Sequence, residues 1–181
     1  AFDRLDTVPG QRGIYWNGAL RLTWPASALP SPTVLARRQG AARLLLQATF
    51  GPTPADIDKV AATTPTTWVA QQMAIAARPD FVTHVQAQFA RGAAYRPGGD
   101  QYSAAWVPER FWATAATSND QLRKRVAFAL HHVFMVSLAD SNLYEHTRAY
   151  ANYLDTLNKY AFGNYRTLLE EVALSPVMGI Y

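Results

Sequence analysis

Two adjacent histidines, His131 and His132, carry the clearest capacity for chemistry in this sequence. Imidazole changes charge near neutral pH, and its neutral nitrogen ligates metals. Both lie in an apolar run, residues 126–139, whose only other strongly polar side chain is Ser137. Neighbours on a helix point about 100° apart, so the pair does not readily share one metal. Two readings follow. In one, a histidine is hydrogen-bonded in the core while the other faces a crevice. In the other, His131 or His132 acts as an acid–base group or as a ligand to a divalent metal. Glu145 and His146, a short turn beyond Asp140, extend the second reading. With His132 they complete a His/His/carboxylate set if the helices that carry them pack antiparallel. The plainer alternative puts Glu145 at a solvated helix start, near the positive end of the dipole.

Other groups offer binding chemistry. Arg123, Lys124 and Arg125 open the apolar run. Cations near a helix N-terminus are unfavourable unless paired, so Arg125 is expected to meet a carboxylate such as Glu170 or Glu171, or else an anion. Gly163-Asn164 reads as a C-cap followed by an N-cap, with a backbone nest for an anion as the rival. The 22 aromatic residues include Trp16, Trp24, Trp106, Trp112, Tyr95 and Tyr102. These pack a core and an arm, or form a stacking surface for a flat ligand or sugar. There is no cysteine, no Gly-x-Ser-x-Gly elbow and no phosphate loop, so thiolate sites and disulfides are excluded and no nucleophile motif stands out.

The bulk composition narrows the classes further. Hydrophobic residues make up 49% of the 181 and charged residues 17%, below the usual quarter. A chain so poor in charge must cover much of its surface, by its own helices or by a partner. The net charge of +4 comes from small basic groups rather than a run, which argues against nucleic acid. No stretch of about 18 apolar residues occurs, so no membrane span is expected.

These residues need elements to position them. Residues 1–33 are rich in Pro and Gly, and Asn17-Gly18 sits between short apolar-aromatic runs. That is a hairpin signal, giving an irregular or β-hairpin arm or linker. From residue 34 the pattern turns helical, over 36–49, then after Thr53-Pro54 and after Thr64-Pro65, over 81–89, and over 104–116. A loop covers 91–102. Ser118 to Gln121 reads as a capping box that opens the longest and most apolar helix, 119–138. Further helices follow over 144–162, over 165–174 behind Asn164, and from Ser175-Pro176. The expected fold is therefore mainly α, a multi-helix array over 34–181. Because the sequence stops one turn into an apolar helix, the chain is expected to be a fragment of a larger helical domain. The remaining C-terminal part would then be its first partner.

Three stretches carry a resemblance: Ala42-Arg43-Leu44-Leu45-Leu46-Gln47-Ala48-Thr49-Phe50-Gly51-Pro52-Thr53; Gln121-Leu122-Arg123-Lys124-Arg125-Val126-Ala127-Phe128-Ala129-Leu130, continuing to Phe134, Val136 and Ser137; and Tyr160-Ala161-Phe162-Gly163-Asn164-Tyr165-Arg166-Thr167-Leu168-Leu169, continuing to Pro176 and Met178. Together, in order and spacing, they resemble the N-terminal part of the bacterial domain-of-unknown-function family numbered 1800, over about residues 36–181. The resemblance implies a large bacterial protein commonly bearing an export signal, hence a secreted or periplasmic location. It implies no general activity. Many members carry Trp-His-Asn-His-Phe where this chain has Leu130-His131-His132-Val133-Phe134. The family's downstream Asn/Glu/Arg-rich segment falls beyond Tyr181.

Two functions are carried forward. The first is an exported accessory protein that binds a partner protein or cell-envelope material. The second is an exported metal-dependent hydrolase, its site shared between helix 119–138 and sequence beyond residue 181. A hydrolase expects His131 or His132 in a polar cleft with a carboxylate. A binding module expects both packed away, beside exposed aromatic surface.

Overall fold

The computed structural model describes the backbone of residues 4–8, 11–16, 19–25, 31–91, 103–140, 142–143 and 146–181, and side chains from Ser31 onward within these, Ala116 excepted. Three strands, β1 (Arg4–Val8), β2 (Gln11–Trp16) and β3 (Ala19–Pro25), form an antiparallel sheet in sequence order. The expected hairpin is there, with Trp16 opposite Ala19 across Asn17-Gly18 and an irregularity at Ile14/Tyr15. The sheet also has a strand that the sequence reading did not anticipate. Val8 pairs with Gln11, so Pro9-Gly10 links β1 to β2, and that dipeptide is itself a turn signal.

The helices begin where short polar side chains satisfy free amides. Ser31 accepts from Val34 N–H and Pro32 opens α1 (Pro32–Ala48), several residues before the expected start. Thr53 and Asp56 form a reciprocal capping box on α2 (Pro54–Ala61), and Thr64 caps α3 (Pro65–Ala74). Gly51, at φ 132°, turns the chain between α1 and α2, a conformation that strains other residues. Ala41, Leu45 and Val60 are the buried centre of this part, with Trp68 against them. Glutamines then join it to the rest: Gln72 Nε2 donates to Asn119 O at 3.0 Å, Gln72 Oε1 accepts from Leu122 N–H at 3.2 Å, and Gln121 Oε1 accepts from Phe50 N–H at 3.4 Å.

The larger core belongs to α4 (Phe81–Ala90), α5 (Trp106–Thr117), α6 (Gln121–Val133), α7 (Thr147–Lys159), α8 (Tyr165–Ala173) and α9 (Pro176–Ile180). Val85, Val107, Leu143, Tyr153, Leu157, Leu168 and Val177 fill it. α6 and α7 run antiparallel, since Arg123 meets Asn158 while His131 meets Tyr150. The chain is thus mainly α, with nine helices among the described residues.

Three expectations are corrected. The helix carrying the histidines spans 13 residues, and α1 with 17 is longer. Ser118 is not its cap. Ser118 Oγ donates to Asp120 Oδ1, and the Gln121 amide donates to Ala115 O and Ser118 O, leaving Asp120 at the cap position. Nor does the helix reach residue 138: it ends at Val133, where His132, Val133 and, just beyond, Met135 are exposed. Beyond Val133 the backbone leaves helical geometry, with Phe134 at φ −108° and ψ 61°, and side chains take carbonyls of the segment that follows. Tyr153 O–H donates to Phe134 O at 2.6 Å, and His131 Nε2 donates to Val136 O at 3.1 Å. The apolar residues beyond still reach the core without helical backbone, as Val136 and Leu143 do.

Candidate functional site

α6 and α7 between them carry the chemistry. The start of α6 is a charged junction. Asp80, just before α4, accepts from Arg110 Nε at 2.9 Å and from Lys124 Nζ at 3.0 Å. Burial pushes the Asp80 carboxyl up, but the Arg110 and Lys124 hydrogen bonds and charges outweigh it and hold it below the ordinary range. With Asp80 so engaged, the cap of α4 comes from another helix. Asp155 of α7 accepts from the N–H groups of Asp80, Phe81 and Val82 at 2.8, 3.1 and 2.9 Å. Burial raises the Asp155 carboxyl above its ordinary value despite these three bonds. Arg123 donates to the carbonyls of Asn158 (3.2 Å) and Ile75 (2.8 Å) and lies over the Phe162 ring.

The end of α6 is different. His131 is half-buried. Its Nε2 lies 3.1 Å from Val136 O and 3.0 Å from the Tyr150 hydroxyl. A carbonyl oxygen only accepts, so Nε2 carries the proton. Burial pulls the His131 pKa down, with neighbouring His132 adding to this and the Val136 bond opposing it. Burial likewise pushes the Tyr150 hydroxyl up to about 12. At neutral pH both rings are uncharged. His132 is exposed. Its Nδ1 donates to Phe128 O at 2.8 Å, one turn back, and its ring packs edge-on to Phe128.

Between α5, α6 and α7 lies a cavity of about 340 Å³. Its wall is chiefly Phe81, Val107, Phe111, Trp112, Phe128, Leu138, Leu154 and Leu157, with His131, Tyr150, Ser137, Asn158 and Lys124 as the polar members. Asn158 is 1% exposed, and its Oδ1 has no hydrogen-bond partner. The size and the ratio of apolar wall to polar groups match those of small-molecule pockets.

The sequence-derived candidates divide accordingly. His131 lines the cavity; His132 does not. Glu145 lies outside the described residues, and His146, exposed, sits at the cap position of α7. Among the described residues no group of three or more His, Asp and Glu side chains could hold a metal. Trp106 packs half-buried on the main core, and Trp112, 64% exposed, stacks edge-on to Phe111 at the cavity. Trp16, Trp24, Tyr95 and Tyr102 have side chains outside the described residues. Arg125 meets neither expected carboxylate. It lies over the Phe50 and Phe128 rings at 5.2 and 5.8 Å, while Glu171 accepts from the Tyr160 hydroxyl. Aromatic faces satisfy the cation where a carboxylate was expected. Gly163-Asn164 is a cap pair, Gly163 N–H donating to Tyr160 O and Asn164 Oδ1 accepting from Thr167 N–H.

Sequence reasoning missed Asp80, Tyr150, Asp155 and Asn158. One signal was available for Asp155: it follows the fully buried Ala151 by four residues, so an acid falls on the core face of α7.

No helix among the described residues is long and apolar enough to cross a membrane. No curated protein and no solved structure matches the chain. Residues 43–181, which include α2 to α9 and both ends of the cavity-lining helices, match the family described as a protein of unknown function, DUF1800. The chain belongs to the DUF1800 family.

Proposed function

We propose that this chain is a binding protein and that it seats an apolar group of its ligand in the cavity between α5, α6 and α7. The carrying observation is the cavity itself, which is walled by aromatic and aliphatic side chains with few polar groups converging on it. The surroundings of His131 support the same reading, since no carboxylate among the described residues lines the wall to partner it as the hydrolase reading expects. Trp112, exposed beside the cavity, offers a flat apolar rim. The exported setting that the family resemblance implies would bring lipidic cell-envelope material within reach, and that is the ligand class we favour over a partner protein.

The test is uptake of N-phenyl-1-naphthylamine, a neutral aromatic probe whose fluorescence rises in apolar surroundings. Saturable binding of one probe per chain is expected, and Ala127→Phe, which fills the cavity from α6, should abolish it. Absence of saturable uptake by the folded protein would sink the reading.

A further inference from the structure

The cavity has three ionisable groups on its wall, Lys124, His131 and Tyr150. What each does with its charge decides what can enter. Lys124 contributes to the wall, but its ammonium is committed to Asp80 at 3.0 Å and lies over the Phe81 ring. Asp80 is in turn shared with Arg110. Asp155, the one acid of α7, spends its carboxylate on three amides at the start of α4. Arg123 donates to two carbonyls, leaving Nε without a hydrogen-bond partner, but it is not part of the cavity wall. The polar groups left to a ligand are neutral: the Tyr150 and Ser137 hydroxyls and the Asn158 amide.

We infer that this cavity selects neutral over anionic ligands, an apolar body bearing at most a hydroxyl, ether or ester oxygen, and rejects carboxylates and sulfonates. The inference rests on the binding reading above and narrows its ligand class. An anion entering would give up its hydration and find no unpaired opposite charge, and such burial is strongly unfavourable. A neutral oxygen would instead accept from Tyr150, whose hydroxyl keeps its proton throughout the physiological range. Lys124 does not rescue an anion, because recruiting it would strip Asp80 of one of its two cations.

Two probes of similar shape test this on the intact chain. N-phenyl-1-naphthylamine is neutral at pH 7, and 8-anilino-1-naphthalenesulfonate adds one anionic group. Each is titrated into the wild type and into Ala139→Trp, a substitution at an exposed position of the lining. The expected result is binding of the neutral probe that Ala139→Trp weakens, with the sulfonate bound at least about 30-fold more weakly. Sulfonate binding of comparable strength, equally sensitive to Ala139→Trp, would overturn the selectivity while leaving the binding reading standing. Insensitivity of both probes to Ala139→Trp would overturn the binding reading and the selectivity with it.

Discussion

At the start of α6, Arg123 and Lys124 are 5% and 6% exposed; at its end, Val133 is 68% exposed and Met135, just beyond, is also exposed. Residue type would place these the other way round. The difference is one of partners. The cations at the start are met by Asp80, by backbone carbonyls and by aromatic faces, which offset most of the cost of burying them, although Arg123 Nε has no hydrogen-bond partner. At the other end, the carbonyls of Phe134 and Val136 are drawn inward by Tyr153 and His131, and Val133 is left on the outer side. Burial along this helix therefore follows the hydrogen-bond partners on α4, α5 and α7 more than the hydropathy of α6.

Removing the partner should show this most strongly. Asp80→Ala leaves Lys124 buried beside Arg110 with no carboxylate, and stability to urea is expected to fall by about 3 kcal/mol. A loss under about 1 kcal/mol would mean that Lys124 finds solvent easily and that the compensation is weak. Next is Asp155→Asn, which keeps one acceptor for the amides of α4 but removes the charge. A loss of about 2 kcal/mol is expected, with hydrogen-exchange protection falling first at the start of α4.

A pH titration sharpens the other end. The folded pKa of His131 lies below its ordinary value, so between the two the unfolded chain binds more protons. Stability contributed by neutral His131 is present above about pH 6.5 and declines as pH falls through that window. His84, lowered by burial and by Arg110, acts with the same sign. His131→Gln should therefore flatten, without abolishing, the decline in urea midpoint between about pH 7 and pH 5. The smallest effect is expected at Val133→Asn, within about 0.5 kcal/mol. A larger loss in thermal unfolding would show that Val133 is covered in solution and would break the comparison.

What was legible beforehand follows from the range of the interactions. The starts of α2, α3 and α8 were readable because Thr53, Thr64 and Asn164 act on amides three residues away. The hairpin at Asn17-Gly18 was readable for the same reason. The end of α6 was not, since apolar patterning continued past it and Tyr153, which holds the Phe134 carbonyl, lies 19 residues off. Of the site, His131 and Trp112 could be named from type alone, but not the cavity between them. The Asp155 cap, 73 to 75 residues from its amides, has no local trace beyond an acid on a buried face. The cationic cluster was visible, but Arg125 was expected to meet an acid where it meets the Phe50 and Phe128 rings, and the pairing of Lys124 with Asp80 was missed because only the folded chain brings Asp80 there.

That distant cap also bears on the order in which the molecule assembles. α4 is ten residues long, has no cap of its own from Asp80, and receives its first hydrogen-bond acceptors from α7. A helix so short is marginal alone in water. It gains a defined first turn only when a large loop of chain has closed. A peptide of residues 79–91 should thus be largely coil. In the refolding chain, α4 should acquire structure together with the docking of α7 rather than ahead of it, so that this part of the core forms as one cooperative event governed by long-range closure.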